Sequence, residues 1–323
     1  MALNNSAPSR LLIYLPALNE AERIAGVIQS IKQQDLPLGA DILVVNDGST
    51  DNTKALALEA GAQVVSHPTN RGVGSAFQSA QEYALEHNYD YLVSMDADGQ
   101  FDPIEIPMLL APLMENGHIL TLGTRFHNGR PEHMSAIKYR GNHWVNSIIG
   151  GIGGMKLADA SCGFRAYSRE ALLRLNLQGQ FTYTHETILD LLNKGCSIAQ
   201  VPITVQYFPE RQSRVAGSIT QYAIRASRII FKCQKDYQPF RFFGSIALLV
   251  LLVSLLLGGF VGIHWARTGM ISPYKSLGII ALGLLTIAFL LFTTALIADS
   301  LGRLRVNQEK ILYETRKIRY ARK

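Results

Sequence analysis

A chain of 323 residues with 48% apolar residues and a net charge of +6 has room for one large domain plus added elements, and those totals single out no class. The charge is uneven: residues 1–208 carry about six more acids than bases, and 209–323 about twelve more bases than acids. The bases flank apolar segments and no nucleic-acid motif accompanies them, which argues against nucleic acid and for an anionic membrane surface; three scattered cysteines, Cys162, Cys196 and Cys233, argue against a disulfide framework.

The N-terminal MALNNSAPSR lacks the apolar core of a signal peptide, so residues 1–208 are expected in the cytosol. Leu11 to Leu15 is an apolar run closed by Pro16, and after Asn19 and Glu20 comes a helical pattern of Ile24, Val27, Ile28 and Ile31. Ile42 to Val45 repeats this strand, turn and helix order through Asn46, Asp47, Gly48 and Ser49, with a helix from about Thr50 to Ala60. Gln63 to Ser66 is a third strand, and Asn70 to Gly74 opens a helix carrying Ala76, Phe77, Ala80 and Ala84. Tyr91 to Met95 is a fourth strand, and it delivers Asp96 and Asp98 to its carboxyl end. Alternation of this kind predicts an α/β domain with a mostly parallel sheet, whose ligands bind beyond the carboxyl ends of the strands. Pro16 to Glu20, Asn46 to Asp51 and Asp96 to Gln100 are therefore expected on one rim.

Ile119 to Thr124 is a fifth strand, followed by Arg125. His127 to Arg140 shows no clear period, and Gly141 to Gly154, ending GGIGG, reads as a mobile loop; no Lys-Ser/Thr pair follows it, so it is not a phosphate loop. Asp159 to Tyr167 reads as a return strand, Ser168 as the start of a short helix, Thr184 to Leu192 as a helix, and Ile198 to Val205 as a last strand held to the edge by Pro202. Residues 209–241 mix apolar and basic side chains, as an amphipathic segment in the headgroup layer would. Residues 242–266 and 276–298 are free of charged residues and long enough to span hydrocarbon. The tail, residues 299–323, is basic, which places it and the 1–208 domain on the cytosolic side. It is able to lie on lipid or to pair subunits in a homo-oligomer.

Asp96 and Asp98 flank one small residue, Ala97, and precede the turn-former Gly99. Two carboxylates so placed suit a hard divalent cation, Mg²⁺ or Mn²⁺, that keeps open positions for phosphate oxygens. His185 has no neighbour at zinc-ligand spacing and reads as an ordinary helix residue.

YLPALNE (Tyr14 to Glu20), VNDGSTD (Val45 to Asp51), NRGVGSAF (Asn70 to Phe77) and DADGQFDP (Asp96 to Pro103) resemble, in order and spacing, the successive motifs of family 2 glycosyltransferases with the GT-A fold. With GTRF (Gly123 to Phe126), SCGFRAY (Ser161 to Tyr167), RVAG (Arg214 to Gly217) and two C-terminal apolar segments, most of residues 10–300 is similar to the dolichyl- and undecaprenyl-phosphate sugar synthases. The resemblance implies transfer of a hexose, with inversion, from GDP-mannose, UDP-glucose or UDP-N-acetylglucosamine to a polyprenyl phosphate at the cytosolic membrane face. It implies that Pro16, Leu18, Glu20, Asp47, Asp96 and Ala97 hold the nucleotide, that Asp96 and Asp98 hold the metal, and that Gln100 lies near the reacting groups. Asp47 would accept from a base N–H. Asn46 stands where many members have an Asp and is given no metal role.

A lipid monophosphate is largely a dianion at cytosolic pH and needs no strong base, so the requirement is cationic positioning; Arg125, Arg165, Arg211 and Arg214 are the candidates. Asp159 and Glu186 are expected to orient sugar hydroxyls or those arginines. Relatives often read R-x-x-G-x-S-K where this chain has RVAGSIT, so a lysine is missing and Arg211 is the substitute. Three other readings compete. A processive polysaccharide synthase would carry a Q-x-x-R-W element, which is absent. A glucosyltransferase acting on a lipid hydroxyl would need a base such as Asp159 or Glu186. An inactive membrane-tethered nucleotide-sugar scaffold would have no need of both D-x-D carboxylates.

Overall fold

Strands form where the sequence carries short apolar runs, and the runs are nearly unbroken because both sheet faces are covered. The computed structural model describes residues 9–132, 134–177, 183–207 and 239–321. Seven strands, β1 (Leu11–Ala17), β2 (Ala40–Asn46), β3 (Gln63–Ser66), β4 (Tyr91–Ser94), β5 (Leu120–Thr124), β6 (Arg165–Ser168) and β7 (Ile198–Pro202), lie in the order β3-β2-β1-β4-β6-β5-β7. β1 is parallel to β2 and β4, β2 to β3, and β5 to β7, while β6 runs antiparallel between β4 and β5. The register pairs Ala17 with Asn46 and Tyr14 with Ser94, so the turns after β1, β2 and β4 leave from one edge. Pro202 ends β7 on the sheet's outer edge, the position expected for it.

Helices α1 (Ile24–Lys32), α2 (Thr53–Glu59), α3 (Val73–Glu86) and α4 (Ile106–Glu115) cover the sheet, with α4 entered through a 3-10 turn that Asp102 caps by accepting from the Ile104 N–H. The pleat of β1 sends alternate residues to opposite faces. Leu11, Ile13 and Leu15 join Ile24, Val27, Ile28 and Ile31 of α1 and Ile106, Leu109 and Leu110 of α4 in one core layer. Each such buried aliphatic side chain contributes about 1.5–3 kcal/mol. On the other face Tyr14 and Tyr167 meet the ring of Phe77 from α3.

The expected loop over residues 141–154 is a helix. α5 (Ala136–Gly153) starts at Ser135, whose hydroxyl accepts from the Lys138 N–H, and stops at Gly154, which is left-handed at φ 70°. The glycine cluster that suggested looseness serves close packing. A Cβ on Gly150 would lie 2.5 Å from the Met155 carbonyl oxygen, and one on Gly153 would lie 2.5 Å from Leu192 Cδ1. Leu192 belongs to α7 (Tyr183–Asn193), against which α5 packs. The short helix α6 (Arg169–Arg174) begins as expected at Ser168, whose hydroxyl accepts from the Ala171 N–H.

Two long helices follow, α8 (Pro239–Thr268) and α9 (Lys275–Arg319), each with a stretch long and apolar enough to cross a membrane. Their facing residues are small and recur every seven positions: Ala247, Ser254 and Val261 on α8, and Ala281, Ala288 and Ala295 on α9. The Ser254 hydroxyl donates to the Ala281 carbonyl at 2.7 Å. α9 continues unbroken past residue 298, so the basic tail is helical as far as Arg319. The chain divides into two compact units, and the last turns of α9, from Leu312, belong to the one containing the sheet. There the Tyr313 hydroxyl donates to Glu170 at 3.0 Å and Arg169 donates to the Tyr320 carbonyl at 2.6 Å.

The packing of α5 makes two neighbouring glycines behave oppositely. Gly151 has nothing within 4 Å of its would-be Cβ. Gly151→Ala is expected to stabilise the protein by up to about 1 kcal/mol, and Gly150→Ala to destabilise it by more than that. Denaturant unfolding of the intact protein checks this, and equal small effects at both positions would contradict it.

Candidate active site

The turns that leave the carboxyl ends of β1 and β2 are stitched together. Asn19, held at φ 54°, accepts from the Thr50 N–H at 2.8 Å, and its own N–H donates to Ser49 Oγ at 2.9 Å. The Glu20 N–H donates to Thr53 Oγ1 at 2.8 Å and the Ala21 N–H to Asp51 Oδ2 at 3.1 Å. Burial pushes the Asp51 carboxyl up slightly, but hydrogen bonds from Thr53 and Ala21 outweigh this and hold it below its ordinary value. Leu18 and Glu20 therefore sit on a braced loop, with Pro16 in the last residues of β1 just before it. Asn46 closes the next turn by accepting from the Ser49 N–H at 3.1 Å.

Asp47 is nearly buried, and its oxygens accept from His67 Nδ1 at 2.7 Å, the Arg71 N–H at 2.9 Å and the Gly72 N–H at 2.7 Å. Of about four acceptor directions on a carboxylate, three serve its own chain, so any contact with a base uses the fourth. His67 passes the network on through Nε2 to Ser79 Oγ at 2.9 Å. Reading the sequence did not single out His67; its only signal is its place directly after β3. Gly48 permits this junction, because a Cβ there would lie 2.5 Å from the Thr69 backbone and its φ is +75°.

β4 delivers the D-x-D turn. Ala97 is buried in the core, which leaves Asp96 and Asp98 partly exposed on the rim. Asp98 Oδ1 accepts from the Gln100 N–H at 3.0 Å, and the Asp98 carbonyl accepts from Arg23 Nη1 at 3.1 Å. The Gln100 carbonyl accepts from the Gln206 N–H at 2.9 Å. A Cβ at Gly163 would lie 3.0 Å from Asp96 Oδ1, so the backbone before β6 abuts that carboxylate. Among the described residues no third acid, His or Cys groups with the pair. Two carboxylates alone fit an Mg²⁺-like ion that takes its remaining oxygens from phosphate and water.

Arg125, just past β5, is clamped by Asp159. Its Nε donates to Asp159 Oδ2 at 2.6 Å, its Nη2 to Oδ1 at 2.9 Å, and its Nη1 to the Tyr207 hydroxyl at 3.3 Å. Burial alone would lower its pKa, but the carboxylate more than offsets this and holds it above the ordinary arginine value. Lys138, on the first turns of α5, places its ammonium 5.6 Å from the Tyr207 ring. Burial, then the charge of Arg125, lowers the Lys138 pKa. No sequence pattern pointed to Lys138, because its helix was not expected.

Of the two tasks expected of Asp159, its contacts perform the orienting of an arginine, while the phosphate contact expected of Arg165 is corrected. Asp159 has no exposed surface and spends both oxygens on Arg125, with Oδ1 also accepting from the Ser161 N–H at 3.2 Å, so it orients Arg125 and is not placed to act on substrate. Arg165 is wholly buried and donates to the carbonyls of Cys162 at 2.7 Å, Ala160 at 2.8 Å and Thr184 at 2.6 Å, and to Thr187 Oγ1 at 2.9 Å. Its donors hold backbone, and none reaches an acceptor phosphate. Arg211 and Arg214 lie outside the described residues. Glu186 is partly exposed in the first turn of α7. Beside it His185 is buried, and neither ring nitrogen has a hydrogen-bond partner among the described residues. Burial, then the Arg165 charge, pushes its pKa down to about 4 against the pull of Asp159, so the ring is neutral.

Two outcomes follow from this electrostatics. Asp159→Asn leaves the Arg125 charge buried without a counter-ion and is expected to cost about 3–5 kcal/mol, whereas Arg125→Met with Asp159→Leu recovers much of that stability without activity. A double-mutant cycle on denaturation midpoints and transfer rates reads both. The folded chain protonates His185 near pH 4 and the unfolded chain near 6.5, so the folded state is penalised as pH falls through that window, by up to about 3 kcal/mol. His185→Gln should flatten that part of the thermal-midpoint profile; an unchanged profile would place the acid sensitivity elsewhere.

The family model described as "Glycosyl transferase family 2" matches residues 12–175. The chain is 32% identical over 264 residues to Glycosyltransferase AglJ of Haloferax volcanii, covering 80% of this chain and 83% of that protein. It is 30% identical to the polyprenol monophosphomannose synthase of Mycolicibacterium smegmatis, covering 65% and 82%. Among solved structures it resembles glucosyl-3-phosphoglycerate synthase from Mycobacterium tuberculosis in complex with UDP, with a TM-score of 0.53 and 26% identity, covering 68% of this chain and 80% of that one. That synthase has also been solved with Mn²⁺ and UDP together. A GT-A sheet with its rim loops braced around a D-x-D turn, matched by the family model across β1 to α6, makes this chain a member of glycosyltransferase family 2.

Proposed function

We propose that the protein transfers one hexose from a nucleoside-diphosphate sugar to a polyprenyl phosphate, with inversion, at the cytosolic face of a membrane. The observation that carries this reading is the pairing, on one rim, of a two-carboxylate turn with a clamped cation, Arg125, beside a second cation, Lys138. One end suits the diphosphate of a donor and the other a phosphate acceptor. The relative named as a polyprenol monophosphomannose synthase and the two apolar C-terminal helices support a lipid-borne acceptor.

Asp96 and Asp98 are the residues that would hold Mg²⁺ or Mn²⁺, which when bound neutralises charge on the donor diphosphate. Pro16 at the end of β1 and the turns bearing Leu18, Glu20 and Asp47 hold the nucleotide, and the bracing of those turns keeps it from moving as the sugar departs. Arg125 meets the acceptor phosphate with a guanidinium that Asp159 has already oriented, so little ordering remains to be done on binding. The acceptor is a dianion at neutral pH. Its oxygen forms a bond to the anomeric carbon as the bond from that carbon to the diphosphate oxygen breaks, and the electron pair leaves with the nucleoside diphosphate. Attack opposite the leaving group inverts the centre. A lipid hydroxyl would instead need a base, and of the two candidates Asp159 is committed to Arg125, which leaves that acceptor only Glu186. The basic residues after Asp299 support a cytosolic site.

Purified full-length protein with Mg²⁺ or Mn²⁺, undecaprenyl phosphate and a panel of radiolabelled UDP- and GDP-sugars should yield one mild-acid-labile labelled lipid. Asp98→Asn should lower its formation about 100-fold or more. Label found only in an acid-stable product from diacylglycerol would overturn the phosphate acceptor, and full activity in Asp98→Asn would overturn the role of the carboxylate pair.

A further inference from the structure

The inner face of α5 is fully used. Asn142, Val145, Asn146, Ile149 and Gly150 are buried, and Asn146 both accepts from the Ala160 N–H at 2.9 Å and donates to the Ala158 carbonyl. The outer face is not what a solvated helix presents. Trp144 is 54% exposed and Ile137 53% exposed, with Arg140 exposed between them and Ile148 half-buried one turn beyond. Over its 18 residues α5 contains no acid, while Lys138 and Arg140 are cationic. By contrast the outward side of α3 carries Glu82 and Glu86. A stripe of tryptophan, isoleucine and arginine without acids is the composition of a helix lying in a headgroup layer, where the indole sits at the interface and cations meet anionic lipid.

The position of the stripe is as informative as its composition. The first turns of α5 are the turns that bring Lys138 to Tyr207 beside Arg125, and Tyr139 and His143 pack their rings on Phe126 at 5.4 and 5.5 Å. A phosphate joined to a membrane-embedded chain reaches Arg125 only if the surface bordering that site meets the headgroups.

We propose that the outer face of α5, formed by Ile137, Arg140, Trp144 and Ile148, is a binding surface for anionic membrane lipid. This assignment rests partly on the lipid-phosphate acceptor, and its test is chosen to read out separately. The chain has two tryptophans, Trp144 and Trp265. Full-length Trp265→Phe protein in vesicles of phosphatidylcholine and phosphatidylglycerol therefore reports on Trp144 alone. Its emission should be blue-shifted and quenched more by lipid spin-labelled near the headgroup than by lipid labelled deep in the chain. Arg140→Glu or removal of phosphatidylglycerol should weaken the quenching. Water-like, unquenched emission would overturn the proposal, and so would a blue shift without lipid quenching, which would assign the face to a protein partner or a second copy. Trp144→Asp should raise KM for bilayer-borne polyprenyl phosphate about five-fold, and leave transfer to a short water-soluble prenyl phosphate unchanged. An equal loss with both acceptors would overturn it as well. Absence of transfer to any lipid phosphate would fail the proposed reaction while leaving the quenching result to stand or fall alone.

Discussion

A guanidinium sealed from water, that of Arg165, holds the two ends of the site in a fixed relation. It stands at the start of the one strand that runs against its neighbours, and it donates to three carbonyls and a threonine hydroxyl. Residues 159–164 have no strand or helix of their own, so their buried carbonyls need donors from elsewhere. A buried cation is costly, and this one is made tolerable by the number of oxygens around it. Two of those oxygens, the Ala160 and Cys162 carbonyls, belong to the segment whose Asp159 clamps Arg125 and whose Gly163 abuts Asp96, and the other two belong to α7. Loosening one side chain would thus disturb the cation and the carboxylates together.

Burial sets the protonation of the groups around Arg165. His185 is kept neutral by burial and by Arg165, and the thiol of Cys162 is pushed up to about 12, chiefly by burial. The floor of the site thus places neutral groups around one buried cation, Arg165, while on the rim Asp96 and Asp98 face one ligand and Arg125, paired with Asp159, faces the other. Such a division suits two anionic ligands side by side once a divalent cation on Asp96 and Asp98 supplies the counter-charge for one, as Arg125 does for the other.

What the sequence disclosed depended on how local its cause was. β1 to β4 and their turns were legible because apolar runs and turn residues act over a few positions, and a parallel sheet then brings the turns to one rim. Ser168 and Pro202 were legible for the same reason, as a cap and an edge marker. α5 was not, because its glycines answer to Met155 and Leu192, the latter nearly forty positions along the chain. The role of Arg165 was misjudged from the same cause: a charged residue near a site reads as a ligand contact until its burial and partners are seen. Asp47 shows the intermediate case, its position on a strand end evident, its bonds to Arg71, Gly72 and His67 hidden.

The apolar hairpin shows a signal that hydropathy averages away. Length and lack of charge mark α8 and α9 as candidate spans, and within hydrocarbon burying an apolar side chain against another gains little, so packing there must come from close fit. Ala247, Ser254 and Val261 recur at seven-residue spacing, as do Ala281, Ala288 and Ala295, and that period keeps one narrow seam of each helix facing the other. Small residues along the seam let the backbones approach closely enough for the Ser254 hydroxyl to reach a carbonyl of the neighbouring helix. The large residues Leu249, Leu256 and Phe289 are left on the outside, where lipid is an adequate partner. The position of the small residues, rather than the number of large ones, therefore decides which faces of this hairpin meet.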